Sequence, residues 1–216
     1  MTKRSAVLFT DFDGTLTKLD TFPIWFTMLM FTHPVKVFCA TRECISNKGE
    51  GRLPKRVALN AAQRIDQKSI RRIQKISAIT IVPFWRKGAK NFLKELKECG
   101  VAIVIVSNNA EIFVKPIAES VGADCMASHL SVNGEIVQMN GKNKEIGLKK
   151  WIQNRQGVGL HIFGIGDSDG DLEMLHCCET VFVIKRLCTQ NNREIERFSQ
   201  RVTFKMAVSH IKEVLT

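Results

Sequence analysis

No apolar run in this 216-residue sequence approaches the roughly 20 residues that a membrane-spanning helix needs, so no such helix is predicted. The basic and then apolar start, "MTKRSAVLFTDFDG", superficially resembles a signal peptide. Its apolar part is short and leads straight into Asp11, so a signal peptide is not predicted. The sequence also lacks internal repeats and low-complexity tracts, which excludes a repeat architecture.

No C-x-x-C motif is present, and the seven cysteines are odd in number. Their spacing fits neither a disulfide framework nor a metal site. The adjacent pair Cys177 and Cys178 would strain a shared tetrahedral site, so metal binding there is not expected. Reduced thiols in a cytoplasm are the simplest interpretation, and a cytoplasmic location is predicted.

Acidic residues are fewer than basic ones, with 21 Asp and Glu against 32 Lys and Arg, and the formal net charge is +11. This balance favours anionic partners, which include phosphorylated metabolites, acidic lipid headgroups and nucleic acid. The basic residues are spread out, and none of their groups is interleaved with aromatic residues. Nucleic-acid binding is therefore not expected, whereas peripheral contact with an anionic membrane remains open. The sequence makes no prediction of the oligomeric state.

Short apolar runs alternate with helical patterns along most of the chain. Hydrophobic residues make up 44% of the sequence, enough for a packed core. The predicted strands are residues 6–10, 101–106, 160–165 and 180–184, and the predicted helices between them are residues 87–99, 110–121 and 144–154. Gly100 and Gly122 lie where helix C-caps are expected. The alternation predicts an α/β fold, a doubly wound parallel sheet with right-handed crossovers.

Two segments interrupt this alternation. Residues 129–141 alternate with period two around Asn133 and Gly134, which predicts a β-hairpin. Residues 20–82 are too long for a loop and have helical patterns throughout. They predict a helical cap inserted into a core that comprises residues 1–19 and 83–216. No function is predicted for the tail, residues 185–216.

The apolar run from Phe22 to Phe31, at the start of the predicted cap, has two interpretations. It is either a buried helix that packs on its neighbours, or an apolar wall or interfacial surface for a lipid-like substrate.

Polar side chains follow three of the predicted strands. Asp11 and Asp13 end the first strand, Ser107 follows the second, and Asp167 and Asp171 follow the third. Ligands of parallel sheets bind beyond the carboxyl ends of the strands, so these side chains are expected to converge. Four converging carboxylates repel one another unless a cation lies among them. Their oxygen ligands favour a hard ion, and Mg²⁺ is the predicted cofactor.

Four segments resemble the ordered motifs of the haloacid dehalogenase-like (HAD) superfamily: "DFDGTLT", "VIVSNN", a downstream lysine and "GIGDSDGDLEML". The resemblance spans about residues 6–184. The position of the cap, the hairpin and the form of the last motif are similar to the phosphoserine phosphatase-like subfamily. Most of that subfamily are Mg²⁺-dependent phosphomonoesterases, so the resemblance implies this activity on a small phosphorylated substrate.

The resemblance also implies a role for each matching residue. Asp11 corresponds to the nucleophile that forms an aspartyl-phosphate, and Asp13 to the general acid and base. The implied phosphate-binding residues are Gly14, Ser107, Asn108 and Lys144, and the implied metal-binding residues are Asp11, Asp13 and Asp167, with Asp171 in support. Lys142 is the alternative to Lys144, and Asp169 is expected to be a capping or surface acid.

Candidate specificity residues in the cap are Asp20, Arg52 and Arg56. Asp20 and Arg56 resemble the acidic residue and the arginine that read the substrate in phosphoserine-specific enzymes. Arg52, Lys55 and Arg56 could reach a carboxylate or second phosphate of the substrate, or form a solvated basic face. The apolar cap is equally similar to phospholipid-directed members, which include phosphatidylglycerophosphatase C-like enzymes. A phospholipid-headgroup phosphatase and a phosphotransferase therefore stay open as alternatives. A non-enzymatic membrane- or nucleic-acid-associated module is a further alternative, and the complete acidic set argues against it.

Overall fold

A computed structural model of the protein describes residues 5–46, 52–131, 133, 135–155, 159–184, 194–195 and 200–216. Gly134, a turn residue of the predicted hairpin, lies outside the described residues. Much of the tail that was left without a predicted function, within residues 185–199, also lies outside them.

The described residues contain seven strands, which are β1 (Ala6–Asp11), β2 (Ala102–Ala110), β3 (Asp124–Leu130), β4 (Ile136–Val137), β5 (His161–Gly166), β6 (Thr180–Val183) and β7 (Gln200–Arg201). They form one sheet in the order β4-β3-β2-β1-β5-β6-β7. Every neighbouring pair is parallel except β3 and β4, which pair as antiparallel strands. The predicted α/β fold and the predicted hairpin are therefore confirmed.

The helices of the described residues are α1 (Phe22–Thr32), α2 (Pro34–Ser46), α3 (Leu53–Gln63), α4 (Gln67–Thr80), α5 (Ala89–Glu98), α6 (Glu111–Ser120), α7 (Gly141–Asn154), α8 (Leu172–Leu175) and α9 (Phe204–Leu215). Gly100 and Gly122 follow α5 and α6 by two residues and have φ angles of 83° and 64°. Both lie at the left-handed position that ends many helices, as predicted.

Helices cover both faces of the sheet, which explains why β1 is buried along its whole length. Ala6 and Leu8 belong to one apolar cluster, and Val7 and Phe9 to the other. Successive side chains of a strand point to opposite faces, so β1 contributes to both clusters. The first cluster includes residues of α1 to α6 and α9, and the second includes residues of α7 and α8.

Helices α1 to α4 occupy the predicted cap segment between β1 and β2. Asp66 caps α4 by accepting a hydrogen bond from the backbone N–H of Ser69, and α2 packs on α3. The division of the chain into a core and a cap stays a prediction. Among the described residues, no single helix is long and apolar enough to cross a membrane. Helices α1 and α2 would meet that test only as a pair that bends by 115°.

Candidate functional site

A cavity of about 570 Å³ lies beyond the carboxyl ends of β1, β2 and β5. Its walls come from the loops that follow these strands, from the start of α3 and from the segment that enters α7. Because β1 lies between β2 and β5, the ends of these three strands meet at one place. A larger cavity of about 770 Å³, between α5 and α9, is lined by none of the predicted site residues. The residues that line a cavity therefore identify the candidate site better than the volume of the cavity does.

Three carboxylates meet beside the smaller cavity, which Asp11 and Asp171 line and Asp167 does not. Oxygen atoms of Asp11, Asp167 and Asp171 all lie within 4.8 Å of one another, and all three residues are buried. Buried like charges at this spacing are tolerated only when a cation offsets them. A set of three oxygen donors fits a hard divalent ion such as Mg²⁺, so the described residues can hold the predicted cofactor.

Lys144 supplies one positive charge to this cluster. It lies in the first turn of α7, is 3% exposed, and its Nζ donates to Asp11 Oδ1 at 2.7 Å and to Asp171 Oδ1 at 2.5 Å. Burial lowers the pKa of Lys144, but the charges of the two aspartates outweigh it and raise the pKa above its ordinary value. Lys142, the alternative, is exposed on the same helix. The structure thus brings Lys144, not Lys142, to the carboxylates.

Asp171 is fixed by the turn that begins α8. Its Oδ2 accepts hydrogen bonds from the backbone N–H groups of Asp167 and Ser168 and from the Ser168 hydroxyl, at 3.1 to 3.3 Å. Ser168 and Asp171 cap each other reciprocally, which orders the short turn. The side chain of Asp169 points elsewhere, as predicted, and accepts a hydrogen bond from the backbone of Ile195. One Asp171 oxygen is therefore held by the turn, while the other contacts Lys144.

The pKa of Asp11 is strongly perturbed by its surroundings. Burial raises its pKa well above the ordinary value, and the negative charges of Asp171 and Asp167 raise it further. The charge of Lys144 and its hydrogen bond act in the opposite direction. A group whose ionisation depends on nearby cations in this way is typical of a functional site.

Asp13 is not part of the carboxylate cluster. Its Oδ1 accepts hydrogen bonds from the Thr21 backbone N–H at 2.9 Å and from the Thr21 hydroxyl at 2.6 Å. Trp25, in α1, donates its indole N–H to the same hydroxyl at 2.9 Å. Of the three predicted metal ligands, Asp11 and Asp167 thus lie together. The side chain of the third, Asp13, is instead directed at the entry to α1, because Thr21 binds it there.

The pKa of Asp13 is raised to about 6. Burial is the main cause, and the charge of Asp20 adds to it. Hydrogen bonds from Thr21 and the charge of Lys55 act in the opposite direction. A carboxyl group with this pKa can both donate and accept a proton near neutral pH, which suits a general acid and base.

Gly14 allows the loop after β1 to approach Asp167. Its φ angle is +91°, and a Cβ atom at this position would collide with Asp167 Oδ2. Its amide donates to the Thr17 hydroxyl at 3.4 Å, and its carbonyl accepts from Arg86 Nε at 2.8 Å. Gly14 does not line the cavity, and the close approach to Asp167 explains why a glycine is needed there. Its contact with phosphate stays a prediction.

Ser107 and Asn108 line the cavity, as predicted, but the following backbone differs from the expectation. The predicted strand ends at residue 106, whereas β2 continues to Ala110 through an irregularity in its pairing with β3. The Ser107 hydroxyl accepts a hydrogen bond from the Asn109 backbone N–H at 3.1 Å, within this irregularity. Irregular strand pairing is common beside active sites and is hard to read from a sequence.

The three cap candidates have different positions. Asp20 and Arg52 line the cavity, but Arg56 is buried in α3 and does not line it. Lys55 lines the cavity instead and donates its Nζ to the Asn108 carbonyl at 3.0 Å. Burial lowers the pKa of Lys55, against the opposing charges of Asp20 and Asp13.

Two site residues carry no predicted role: Thr21, which holds Asp13, and Gln138, which is buried and lines the cavity. Thr21 follows Asp20 directly, but nothing in its sequence context shows that its hydroxyl turns back to position 13. The positions of Thr21 and Gln138 beside the site become visible only in the tertiary structure.

Replacing Lys144 by methionine is expected to lower the free energy of unfolding by about 3 kcal/mol in the absence of metal, because two buried carboxylates lose their counter-charge. Chemical denaturation in the presence of a chelator measures this change. Lys150→Met, at an exposed position of the same helix, is the matched control and should change stability by less than about 0.5 kcal/mol. Equal stability of the two variants would contradict the assigned role of Lys144.

Comparisons with known proteins agree with this geometry. The profile of the haloacid dehalogenase-like hydrolases matches residues 8–176. The chain is 28% identical over 189 residues to the phosphoserine phosphatase of Methanocaldococcus jannaschii, and the alignment covers 81% of this chain and 82% of that protein.

Solved structures show the same fold. A protein of unknown function from Bordetella pertussis Tohama I superposes with a TM-score of 0.76 at 16% identity, over 93% of this chain and 99% of that one. A substrate-bound phosphoserine phosphatase complex superposes with a TM-score of 0.54 at 22% identity, over 92% of this chain and 100% of that one. Because the family profile covers most of the chain, the protein is an enzyme that belongs to the haloacid dehalogenase-like hydrolase family.

Proposed function

We propose that this hydrolase is a phosphatase that removes the phosphoryl group of a small phosphorylated metabolite, with Mg²⁺ as cofactor and an aspartyl-phosphate as intermediate. The observation that carries the proposal is the buried cluster of Asp11, Asp167 and Asp171, with Lys144 bound to Asp11 and Asp171, beside a cavity at the carboxyl edge of the sheet. Such a cluster suits the stabilisation of a phosphoryl group in transfer.

In the first step, a carboxylate oxygen of Asp11 attacks phosphorus while the bond between phosphorus and the ester oxygen breaks. The leaving oxygen takes a proton from Asp13, whose raised pKa keeps part of it protonated near neutral pH. In the second step, Asp13 accepts a proton from water, which attacks the aspartyl-phosphate. Inorganic phosphate leaves, and the Asp11 carboxylate is regenerated.

The positive charge of Lys144 favours the ionised form of Asp11 and attracts the phosphoryl oxygens. The hydroxyl of Ser107 lines the cavity and can donate to one of these oxygens. Asp11 and Asp167 would hold the metal, with Asp171 in support. Bound there, Mg²⁺ would supply positive charge that keeps Asp11 ionised and offsets the charge of the transferring group.

The substrate we propose is small and carries charges of both signs besides its phosphate. The cavity of about 570 Å³ accommodates a metabolite, and its cap side presents Asp20 together with Arg52 and Lys55. An acid beside two cations suits an ammonium and a carboxylate on one molecule, such as an amino acid. Similarity to the Methanocaldococcus jannaschii phosphoserine phosphatase supports a phosphoserine-like substrate. A cytoplasmic location is part of the proposal, supported by the free thiols of the six described cysteines.

Metal dependence tests the proposal. Hydrolysis of p-nitrophenyl phosphate is expected to stop in EDTA and to return when Mg²⁺ is added in excess. Asp167→Asn should raise the Mg²⁺ concentration for half-maximal activity by at least about tenfold, and Mg²⁺ binding measured by calorimetry should weaken in parallel. Asp169→Asn, two residues away and outside the cluster, is the matched control and should change neither quantity. Activity that survives EDTA would refute the proposed cofactor.

Substrate identity is tested with a panel of phosphorylated amino acids, sugars, nucleotides and soluble lipid phosphates. Phosphoserine-like compounds are expected to have the highest kcat/KM. Asp20→Asn should reduce the preference for substrates with an ammonium group more than it reduces the hydrolysis of p-nitrophenyl phosphate, which lacks that group. A higher kcat/KM for lipid phosphates would favour the phospholipid alternative instead.

A further inference from the structure

An exposed apolar surface surrounds the corner between α1 and α2. Phe31 is 83% exposed, Val35 is 70% exposed and Phe38 is 71% exposed. Two further apolar side chains of these helices, Met30 near the end of α1 and Ile45 near the end of α2, are also exposed. Single exposed apolar residues are ordinary, but several large ones close together in the chain indicate an interaction surface. We call these five residues the apolar corner.

The helical geometry directs this surface away from the protein. Helices α1 and α2 meet at His33 with a bend of 115°. On α2, the buried side chains are Val37, Ala40 and Cys44. The residues Val35, Phe38, Arg42 and Ile45 recur at three- and four-residue intervals and form the exposed stripe of the same helix. The Phe22–Phe31 run is thus buried at Phe22, Trp25 and Leu29, while its end is exposed.

Positive charge is concentrated in the same part of the chain. Residues 21–82 contain eleven Lys and Arg against three Asp and Glu, so they carry eight of the eleven excess positive charges of the protein. Residues 21–42 contain no acidic residue at all. Lys36 and Arg42 are exposed within and beside the apolar corner. An apolar surface flanked by cations complements an anionic lipid bilayer, whose charged headgroups cover apolar acyl chains.

A second copy of the chain fits this surface less well. A symmetric dimer would place the same patch of both copies face to face, which brings like charges together. An anionic bilayer instead attracts the cations and accommodates phenylalanine side chains at its interface. The charge and the exposed aromatic side chains therefore favour a membrane.

We propose that the apolar corner docks on the surface of an anionic lipid bilayer, with Phe31 and Phe38 inserted at the interface and Lys36 and Arg42 against the headgroups. The corner lies at the far end of α1 from the candidate site. Eleven helical residues place it roughly 16 Å along the axis from Thr21, which contacts Asp13. Docking by the corner therefore leaves the cavity free, and it requires neither a lipid substrate nor the proposed phosphatase activity.

Vesicle flotation tests the proposal. The protein should float with phosphatidylcholine vesicles that contain about 30 mol % phosphatidylglycerol at about 0.05 M salt, and binding should fall steeply at about 0.5 M salt. Vesicles of pure phosphatidylcholine should bind it at least about tenfold more weakly. No flotation with the anionic vesicles at low salt would overturn the proposal.

Two pairs of variants separate the apolar and the charged contributions. Phe31→Ser with Phe38→Ser should lower the partition coefficient by roughly tenfold or more, whereas Met206→Ser, at an exposed position of α9, should leave it unchanged. Lys36→Glu should lower it by roughly tenfold, whereas Lys150→Glu, which changes the net charge equally on α7, should have a much smaller effect. Equal effects within either pair would show that the corner is not the docking surface.

Thermal melting and light scattering complete the test. All four proteins should melt within a few degrees of the wild type, because the substituted side chains are exposed. Light scattering should give the same mass for the wild type and for the double serine variant. A wild-type dimer that becomes a monomer in that variant would assign the corner to self-association and overturn membrane docking.

Discussion

Asp11→Asn is expected to lower kcat for phosphate ester hydrolysis by roughly 10⁴-fold or more, because the variant has no carboxylate to attack phosphorus. The substitution keeps the size of the side chain and one oxygen that can accept from Lys144. Lys144 also keeps its contact with Asp171, so the fold should persist. The loss of activity would then report on chemistry rather than on unfolding.

Acid quenching during turnover measures the same step directly. In the wild type, mass spectrometry should find one additional phosphoryl group on the peptide that contains Asp11, and the variant should have none. Asp124→Asn, a surface acid that contacts Arg155 away from the cavity, is the control and should retain full activity. A phosphorylated residue other than Asp11 would contradict the assigned nucleophile.

Asp13→Asn is expected to separate the two chemical steps. For an alkyl phosphate, kcat/KM should fall by roughly 10²- to 10⁴-fold, because the leaving alkoxide receives no proton. For p-nitrophenyl phosphate, whose leaving group needs no proton, kcat/KM should fall by less than about tenfold. With this aryl substrate kcat should nevertheless fall, because no base activates water, and the phosphorylated enzyme should accumulate. Equal losses of kcat/KM for both substrates would contradict the general-acid role.

The pH dependence of the wild type follows from the same residue. Because the pKa of Asp13 is about 6, the protonated acid is depleted as the pH rises through that value. The kcat/KM for alkyl phosphates should therefore decline above about pH 6, relative to the aryl substrate measured under the same conditions.

The raised pKa of Asp13 should also make the free energy of unfolding depend on pH. Between about pH 4 and pH 6, folded Asp13 binds a proton that the unfolded chain has released, so the stability falls as the pH rises. In the presence of a chelator, Asp13→Asn should therefore be more stable than the wild type at pH 7, by on the order of 1–3 kcal/mol, and not at pH 4.

The sequence predicted the core of the fold well because its signals are local. The continuous apolar runs of β1, β2, β5 and β6 and the glycines after α5 and α6 mark buried parallel strands and helix ends in any context. The strand β7 escaped prediction because it has only two residues. The extension of β2 to Ala110 escaped because "SNNA" carries no apolar pattern, and only pairing with β3 makes it a strand.

The site was predictable to the extent that spacing fixes geometry. Asp167 and Asp171 lie four residues apart at the start of a helical turn, which brings both carboxylates to one side. Asp11 was expected to join them because the carboxyl ends of parallel strands lie at one edge of a sheet, and the structure adds that β1 pairs directly with β5. Spacing did not reveal that Asp13 turns to Thr21 or that Arg56 is buried, because both depend on how α1 and α3 pack. Long-range side-chain contacts have no local sequence signal.

The sequence by itself determined the α/β class, the family and three of the four acidic residues that were expected to converge, because the alternation of strands and helices and the motif spacing constrain where chain segments meet. Only the tertiary structure decided which lysine joins the acids, which cap residues line the cavity and which end of the Phe22–Phe31 run is exposed. Each of these depends on burial, and burial is set by elements far apart in the chain that cover or leave free a given side chain.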